Sequence, residues 1–160
     1  MAPTTVLITG ANRGIGKGLL ELYLAKPNHT VIAANRDPAH ATSRALNDIP
    51  MAEGTSLLII KIDATVSTDP ADAVKQLARH GIDHLDIVIA NAGISYVYPK
   101  VSEVKVEDMQ KHTIPNTYGV IWLYQATLPL LKKSKNPVWV SMGSSAAFLT
   151  VSMLPRDLLK

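Results

Sequence analysis

The chain has 160 residues, 47% hydrophobic and 18% charged, with a formal net charge of +3, which suits a single domain with its own core. Lysine and arginine are scattered rather than clustered, which argues against a nucleic-acid surface, and the small positive balance mildly favours an anionic ligand. The absence of cysteine excludes disulfides and thiolate metal sites and is compatible with a reducing compartment.

In chain order the elements alternate. The start, MAPTTVLITG, has neither a basic segment nor an apolar leader, so it does not read as a signal peptide. Thr5–Thr9 is a short apolar, β-branched run ending at Gly10. Gly14 to Ala25 follows with helical spacing at Ile15, Leu19 and Leu22, and Pro27 closes it. Thr30–Ala34 reads as a second buried strand. Asp37-Pro38 then reads as an N-cap with proline at the first helical position, opening a helix toward Leu46. Ser56 to Ile62 is a third strand, and Asp69-Pro70 repeats the cap signal for a helix that stops at Gly81. Leu85 to Ala90 is a fourth strand, a long helix runs from Val106 to Leu131, and Val138 to Met142 is a fifth strand. Tyr118–Leu131 is the most apolar stretch, but it is too short to span a bilayer and contains Gln125 and Pro129. The chain therefore reads as cytoplasmic. Strands that are apolar throughout and separated by helices imply a parallel sheet covered on both faces. That is a doubly wound α/β domain of about five strands.

The chemistry begins at ITGANRGIG, where Gly10, Gly14 and Gly16 fall at the first strand-to-helix junction. Glycine permits a tight turn and lets the backbone approach a pyrophosphate, while the helix N-terminus offers free N–H groups and a positive dipole end.

TGANRGIG resembles the cofactor loop of the classical short-chain dehydrogenases/reductases, a Rossmann-fold family. The resemblance continues through Asp63, Asn91-Ala92-Gly93, Asn116 and Ser144, and covers residues 4 to about 147 in the family's order. The wording around Leu57–Asp63, Gly81–Ser95 and Gln125–Pro137 is most similar to fungal ketoreductases of the norsolorinic acid type. The resemblance implies an NADP-binding domain over 1–147 and a divergent tail over 148–160. It implies an NADP(H)-dependent oxidoreductase that reduces a ketone or polyketide-type carbonyl, without a metal. The cofactor would be held by Gly10, Asn12, Arg13, Gly14, Ile15, Gly16, Arg36, Asp63, Asn91, Ala92 and Gly93, with Ser144 and Asn116 as catalytic residues.

Each role has a physical counterpart. Asp63 would accept a hydrogen bond from the adenine amino group, unless it only caps a turn at the strand end. Asn91 would brace the sheet edge and the cofactor wall. Asn116 would hold a water in a proton relay by keeping its helix locally open, and Pro115 directly before it departs from the family's usual pattern. Ser144 would donate a hydrogen bond to the substrate carbonyl; the plainer reading is a small polar residue ending a strand. An NAD-preferring site usually places an acid at the end of the second strand. Here Asn35 takes that place and Arg36 follows, so Arg36 and Arg13 would pair a 2′-phosphate unless Arg36 is merely a solvated surface charge. Asp37 reads as the helix cap and not as the ribose acid.

SYVYPK, Ser95–Lys100, holds a tyrosine and a lysine at the spacing that shares a helix face. In the family, the catalytic tyrosine and lysine lie on a helix downstream of the serine, whereas Tyr96 and Lys100 lie upstream. Pro99 also disfavours helical geometry for Tyr98, so the segment reads as loop, a wall of the substrate cleft. After Ser145 the chain reads AAFLTVSMLPRDLLK, with no tyrosine. The expectation is a reductase truncated at its C-terminal side, lacking the family's Tyr-x-x-x-Lys. Two functions stay open: an NADP-dependent ketoreductase with a small-molecule carbonyl substrate, or a non-catalytic NADP-binding protein or remnant. Neither nucleic acid nor membrane is expected as a partner. The family is usually homo-oligomeric, and a face with Ile121, Trp122, Tyr124, Leu128 and Leu131 left partly uncovered would favour self-association.

Overall fold

In the computed structural model, which describes residues 3–144, five strands form one sheet. They are β1 (Thr4–Thr9), β2 (His29–Asn35), β3 (Ser56–Lys61), β4 (Ile87–Ala90) and β5 (Val138–Ser141). The order is β3-β2-β1-β4-β5 and every neighbouring pair is parallel. The helices are α1 (Gly14–Leu24), α2 (Ala41–Arg44), α3 (Asp69–Arg79), α4 (Val106–Thr113) and α5 (Gly119–Leu131). The 1–147 boundary and the 148–160 tail expected from the sequence lie outside the described residues.

The inner strands β1, β2 and β4 are largely apolar because both faces of the sheet are covered there, whereas edge strand β5 buries none of its residues. Leu7, Ile32, Ile60 and Val88 project to one side, against Leu77 of α3 and Leu123 and Leu130 of α5. Val6, Ile8, Val31 and Ala33 project to the other, against Leu20 and Leu24 of α1 and Leu46. Each of the large side chains among them that is fully buried contributes about 1.5–3 kcal/mol. Among the described residues no helix is long and apolar enough to cross a membrane.

From β1 the chain builds outward through β2 to β3, then returns to place β4 on the other side of β1. That reversal opens a crevice at the carboxyl ends of β1 and β4, where doubly wound sheets bind their ligands.

The helices depart from the sequence expectation in four places. Asp37 does not cap a helix: its Oδ1 accepts from Ala39 N at 2.8 Å, and α2 begins later, with the His40 side chain accepting from Thr42 N. A 3₁₀ turn over Ala45–Asp48 then completes the segment. Asp69 is the first residue of α3 rather than its cap, which is Thr68. The long helix over Val106–Leu131 is divided by a π-helical turn at Ile114–Tyr118. Pro115 has no N–H to return to the preceding turn, so the regular ladder cannot pass through it. Finally, Leu131 is only 4% exposed and belongs to the core. Of the other four expected on that face, Ile121 and Tyr124 are exposed and Trp122 and Leu128 half-buried, and Tyr118 adds to the exposed surface.

Candidate functional site

The loop after β1 is shaped by its glycines. Gly10 (φ 65°) and Gly14 (φ 54°) adopt left-handed backbone, which side-chain-bearing residues rarely take. Gly16 is restricted by contact instead. A Cβ there would run into the Gly10 carbonyl oxygen and the Asn91 amide nitrogen. Gly10 N donates to Ala34 O at 2.8 Å, which keeps the loop on the sheet. The Asn12 amide donates to Thr42 Oγ1 at 2.7 Å, tying the loop to α2. At the start of α1, Arg13 is extended and no side chain caps the helix or adds an acid to its first turn. Free N–H groups and the positive end of the dipole are thus open to an anion. Ile15, in that first turn, is 67% exposed.

Beside this loop, β2 ends at Asn35, which is fully buried with both Oδ1 and Nδ2 unpartnered. A buried amide without partners costs about 1–3 kcal/mol, so it is a place where a ligand's polar group would be stabilising. Arg36 follows and is exposed, and among the described residues neither it nor Arg13 forms an ion pair.

After β3, Asp63 Oδ1 accepts from both Thr65 N (2.9 Å) and Thr65 Oγ1 (2.7 Å). Asp63 therefore caps its turn with one carboxylate oxygen, which leaves the second for other use. The turn is held from behind by Asp69, whose Oδ2 accepts from Asp63 N at 2.9 Å and pairs with Lys61 Nζ at 3.2 Å.

After β4, Thr9 Oγ1 accepts from Asn91 N (3.0 Å) and Ala92 N (2.9 Å). The Asn91 amide donates to Thr9 O (2.9 Å) and Gly10 O (3.3 Å). Asn91 thus joins the ends of β1 and β4 across the crevice, with Ala92 and Gly93 as the continuing wall. Asn116 lies in the π turn, and both of its amide atoms are engaged by Ile94: Oδ1 accepts from Ile94 N and Nδ2 donates to Ile94 O, each at 2.8 Å. The side chain braces the wall, while the local opening of the helix comes from the π turn itself. Just beyond, Gly119 lets α5 approach the loop after β3 so closely that a Cβ would meet the Ala64 carbonyl oxygen.

Met142 N donates to Ala90 O at 3.0 Å, so the chain leaving β5 runs beside the wall after β4. Ser144 follows it and is exposed. The SYVYPK segment has no regular structure. The Tyr96 ring stacks on His112, with centroids 4.3 Å apart and planes at 16°, which is no helical tyrosine–lysine pair.

The residues Gly10–Gly16, Arg36, Asp63, Asn91–Gly93 and Ser144 thus follow the carboxyl ends of the five strands, with Asn116 joined to that end through Ile94. Sequence reasoning passed over Thr9, Asp69, His112 and Gly119. A threonine ending a strand and a glycine opening a helix carry no distinctive signal, and Asp69 was visible only as a capping residue.

Residues 4–155 match the family model described as short chain dehydrogenase. A norsolorinic acid ketoreductase of Dothistroma septosporum is 48% identical over 132 residues, which is 82% of this chain and 49% of that protein. A short-chain dehydrogenase of Neurospora crassa is 43% identical over 144 residues, 89% of this chain and 57% of that protein. The chain thus spans about half the length of these curated relatives. Among solved structures, the NADPH-bound carbonyl reductase from chicken fatty liver superposes with a TM-score of 0.84 at 28% identity, covering 96% of this chain and 64% of that one.

Proposed function

Because the chain belongs to the short-chain dehydrogenase family, we propose that it binds NADP(H) and serves the reduction of a ketone, polyketide-type carbonyls included. The observation that carries the proposal is the cradle at Gly16, where only a glycine fits between the Gly10 carbonyl and the Asn91 amide beside an uncapped helix N-terminus. The unpartnered Asn35 amide adds to the fit, since a hydrogen-bonding nucleotide would satisfy it.

In this reading the first-turn N–H groups of α1, Ile15 among them, would hold the pyrophosphate. Asp63 takes the adenine amino group through the oxygen that Thr65 leaves free. Arg36 and Arg13 pair a 2′-phosphate. Each charge-assisted contact is worth about 1.5–3 kcal/mol, so two favour NADPH over NADH on the order of 100-fold or more. When bound, the cofactor supplies the hydride. Ser144 donates a hydrogen bond to the carbonyl oxygen as negative charge develops on it, and Asn91 and Asn116 hold the wall between the two ligands. The similarity to a ketoreductase and to a carbonyl reductase supports the choice of a carbonyl substrate.

Calorimetric titration with NADPH and NADH tests this. NADPH should bind far more tightly, and Arg36→Ala should lower the preference by about tenfold or more while Arg13 retains its share. Equal affinities for the two would overturn the NADP assignment, and no binding of either would overturn the cofactor site. The alternative reading is a non-catalytic NADP-binding protein. Carbonyl reduction by the NADPH-loaded protein separates the two.

A further inference from the structure

The wall that continues past Gly93 has little to rest on. Its residues to Lys100 have no regular structure. Beside them lies an open groove of about 300 Å³, lined by Val97, Pro99, Val104, Asp108, Met109 and His112 among others. α4, on the far side of that groove, buries none of its residues. Two side chains one helical turn apart, His112 and Asn116, make the attachment. Asn116 grips Ile94 through both amide atoms. His112 receives the Tyr96 N–H on Nε2 at 3.3 Å, stacks on the Tyr96 ring, and places Nδ1 2.7 Å from the Asp108 carbonyl oxygen.

These partners select one form of the imidazole. A carbonyl oxygen only accepts and a backbone N–H only donates, so the proton must be on Nδ1 and Nε2 must be bare. Protonating the ring would put an N–H on Nε2 facing the Tyr96 N–H, donor against donor, and the bond would be lost. The other titratable groups at this place are the Tyr96 phenol on the loop and the Asp108 carboxylate on α4, which Lys111 engages at 3.6 Å.

We propose that His112 is a positioning residue, which in its neutral Nδ1–H form holds the Tyr96 end of the wall against α4 and releases that end on protonation, while Asn116 keeps its hold on Ile94. Because only the uncharged ring can accept the Tyr96 N–H, the attachment weakens with acid and not with base. The proposal deepens the carbonyl-site reading, since that wall faces the substrate, but the attachment itself does not depend on that reading.

Nuclear magnetic resonance on the cofactor-free chain tests it. At pH about 8 the His112 nitrogen shifts should report a proton on Nδ1 alone, and protection of the Tyr96 amide against solvent exchange should fall about tenfold by pH about 5. The core amides of Val31 and Ile32 serve as the reference for intact folding. His112→Gln, which keeps an acceptor but cannot titrate, should leave Tyr96 protection independent of pH. His112→Phe, which keeps the stack without the acceptor, should leave it low at both. A proton on Nε2 at the higher pH, or protection in His112→Phe equal to that of the parent, would overturn the proposal. NADPH titration of the same samples reads the reductase assignment separately, so a failure of one does not imply failure of the other.

Discussion

Gly14 and Gly16 stand two residues apart in the same loop, yet they are glycine for different reasons. Gly14 has open space where a Cβ would go and is restricted only by its left-handed φ, so Gly14→Ala should cost about 1 kcal/mol. At Gly16 the Cβ would meet backbone and the Asn91 amide, neither of which can give way without separating β1 from β4. Gly16→Ala should therefore cost about 1–3 kcal/mol in stability and abolish NADPH binding. Denaturant unfolding and calorimetry would measure both, and a Gly16→Ala protein that binds like the parent would contradict the cradle. The G-x-x-x-G-x-G pattern revealed the loop because backbone conformation and close approach both demand the same residue type. Asp69 is the opposite case. An Asp-Pro pair signals a helix start whether the aspartate caps the helix or enters it, and no local pattern reveals a carboxylate turned back to Asp63 N and Lys61.

Among the elements, the inner strands were the most legible because burial on both faces leaves an uninterrupted apolar run. The α4–α5 stretch was legible as helix but not as two helices. Pro115 was visible, but whether a buried proline kinks a helix, ends it or enters a π turn depends on what its neighbours hold. Here Asn116 fixes one side by gripping Ile94, and Gly119 fixes the other by touching Ala64. Gly119→Ala should cost about 1–3 kcal/mol and lower the thermal midpoint, while a change at exposed Gly18, which meets nothing within 4 Å, should cost only about what helix propensity dictates or gain from it. Equal behaviour of the two would show that α5 is not pinned at Ala64. The connection from α3 into β4 adds a pH effect. The Asp83 carboxyl is held below its ordinary value, chiefly by a hydrogen bond from His84, whose Nδ1 lies 2.9 Å away. A carboxyl lowered on folding contributes stability above its unfolded value of about 3.9 and loses it as pH falls through the folded value. Asp83→Asn should thus narrow the gap between stability at pH about 6 and at pH about 3. The effect will be small because the pair is solvent-exposed, and an unchanged acid transition in the variant would refute it.

On the scale of the whole molecule, exposed apolar side chains and the tyrosines decide behaviour. Tyr118, Ile121 and Tyr124 are 48%, 46% and 42% exposed around the start of α5. Adjacent apolar groups of that kind favour association, so sedimentation of the 160-residue chain should show a species larger than a monomer that Ile121→Lys reduces. A monomer at all concentrations would contradict this. Catalysis turns on a different absence. Hydride delivery leaves an alkoxide that must be protonated as it forms, and a placed general acid contributes about 10²–10⁴-fold. In the proposed reading Ser144 would polarise the carbonyl, but an aliphatic alcohol is a poor proton source. Tyr96 is stacked on His112 in the loop after β4, and Tyr118 has Trp122, not a lysine, one helical turn on. No tyrosine stands downstream of Ser144 in these residues. Without a tyrosine–lysine pair both proton supply and the positioning of the nicotinamide ribose suffer. We therefore expect the 160-residue chain to bind NADPH and yet to reduce a reactive quinone at least about 100-fold more slowly than a version extended with a family-type Tyr-x-x-x-Lys helix and the strands that follow. The assay compares the two proteins at matched cofactor saturation. If the shorter protein equals the longer one, and Tyr96→Phe removes its activity, then SYVYPK supplies the acid after all and the loop after β4 is the catalytic segment.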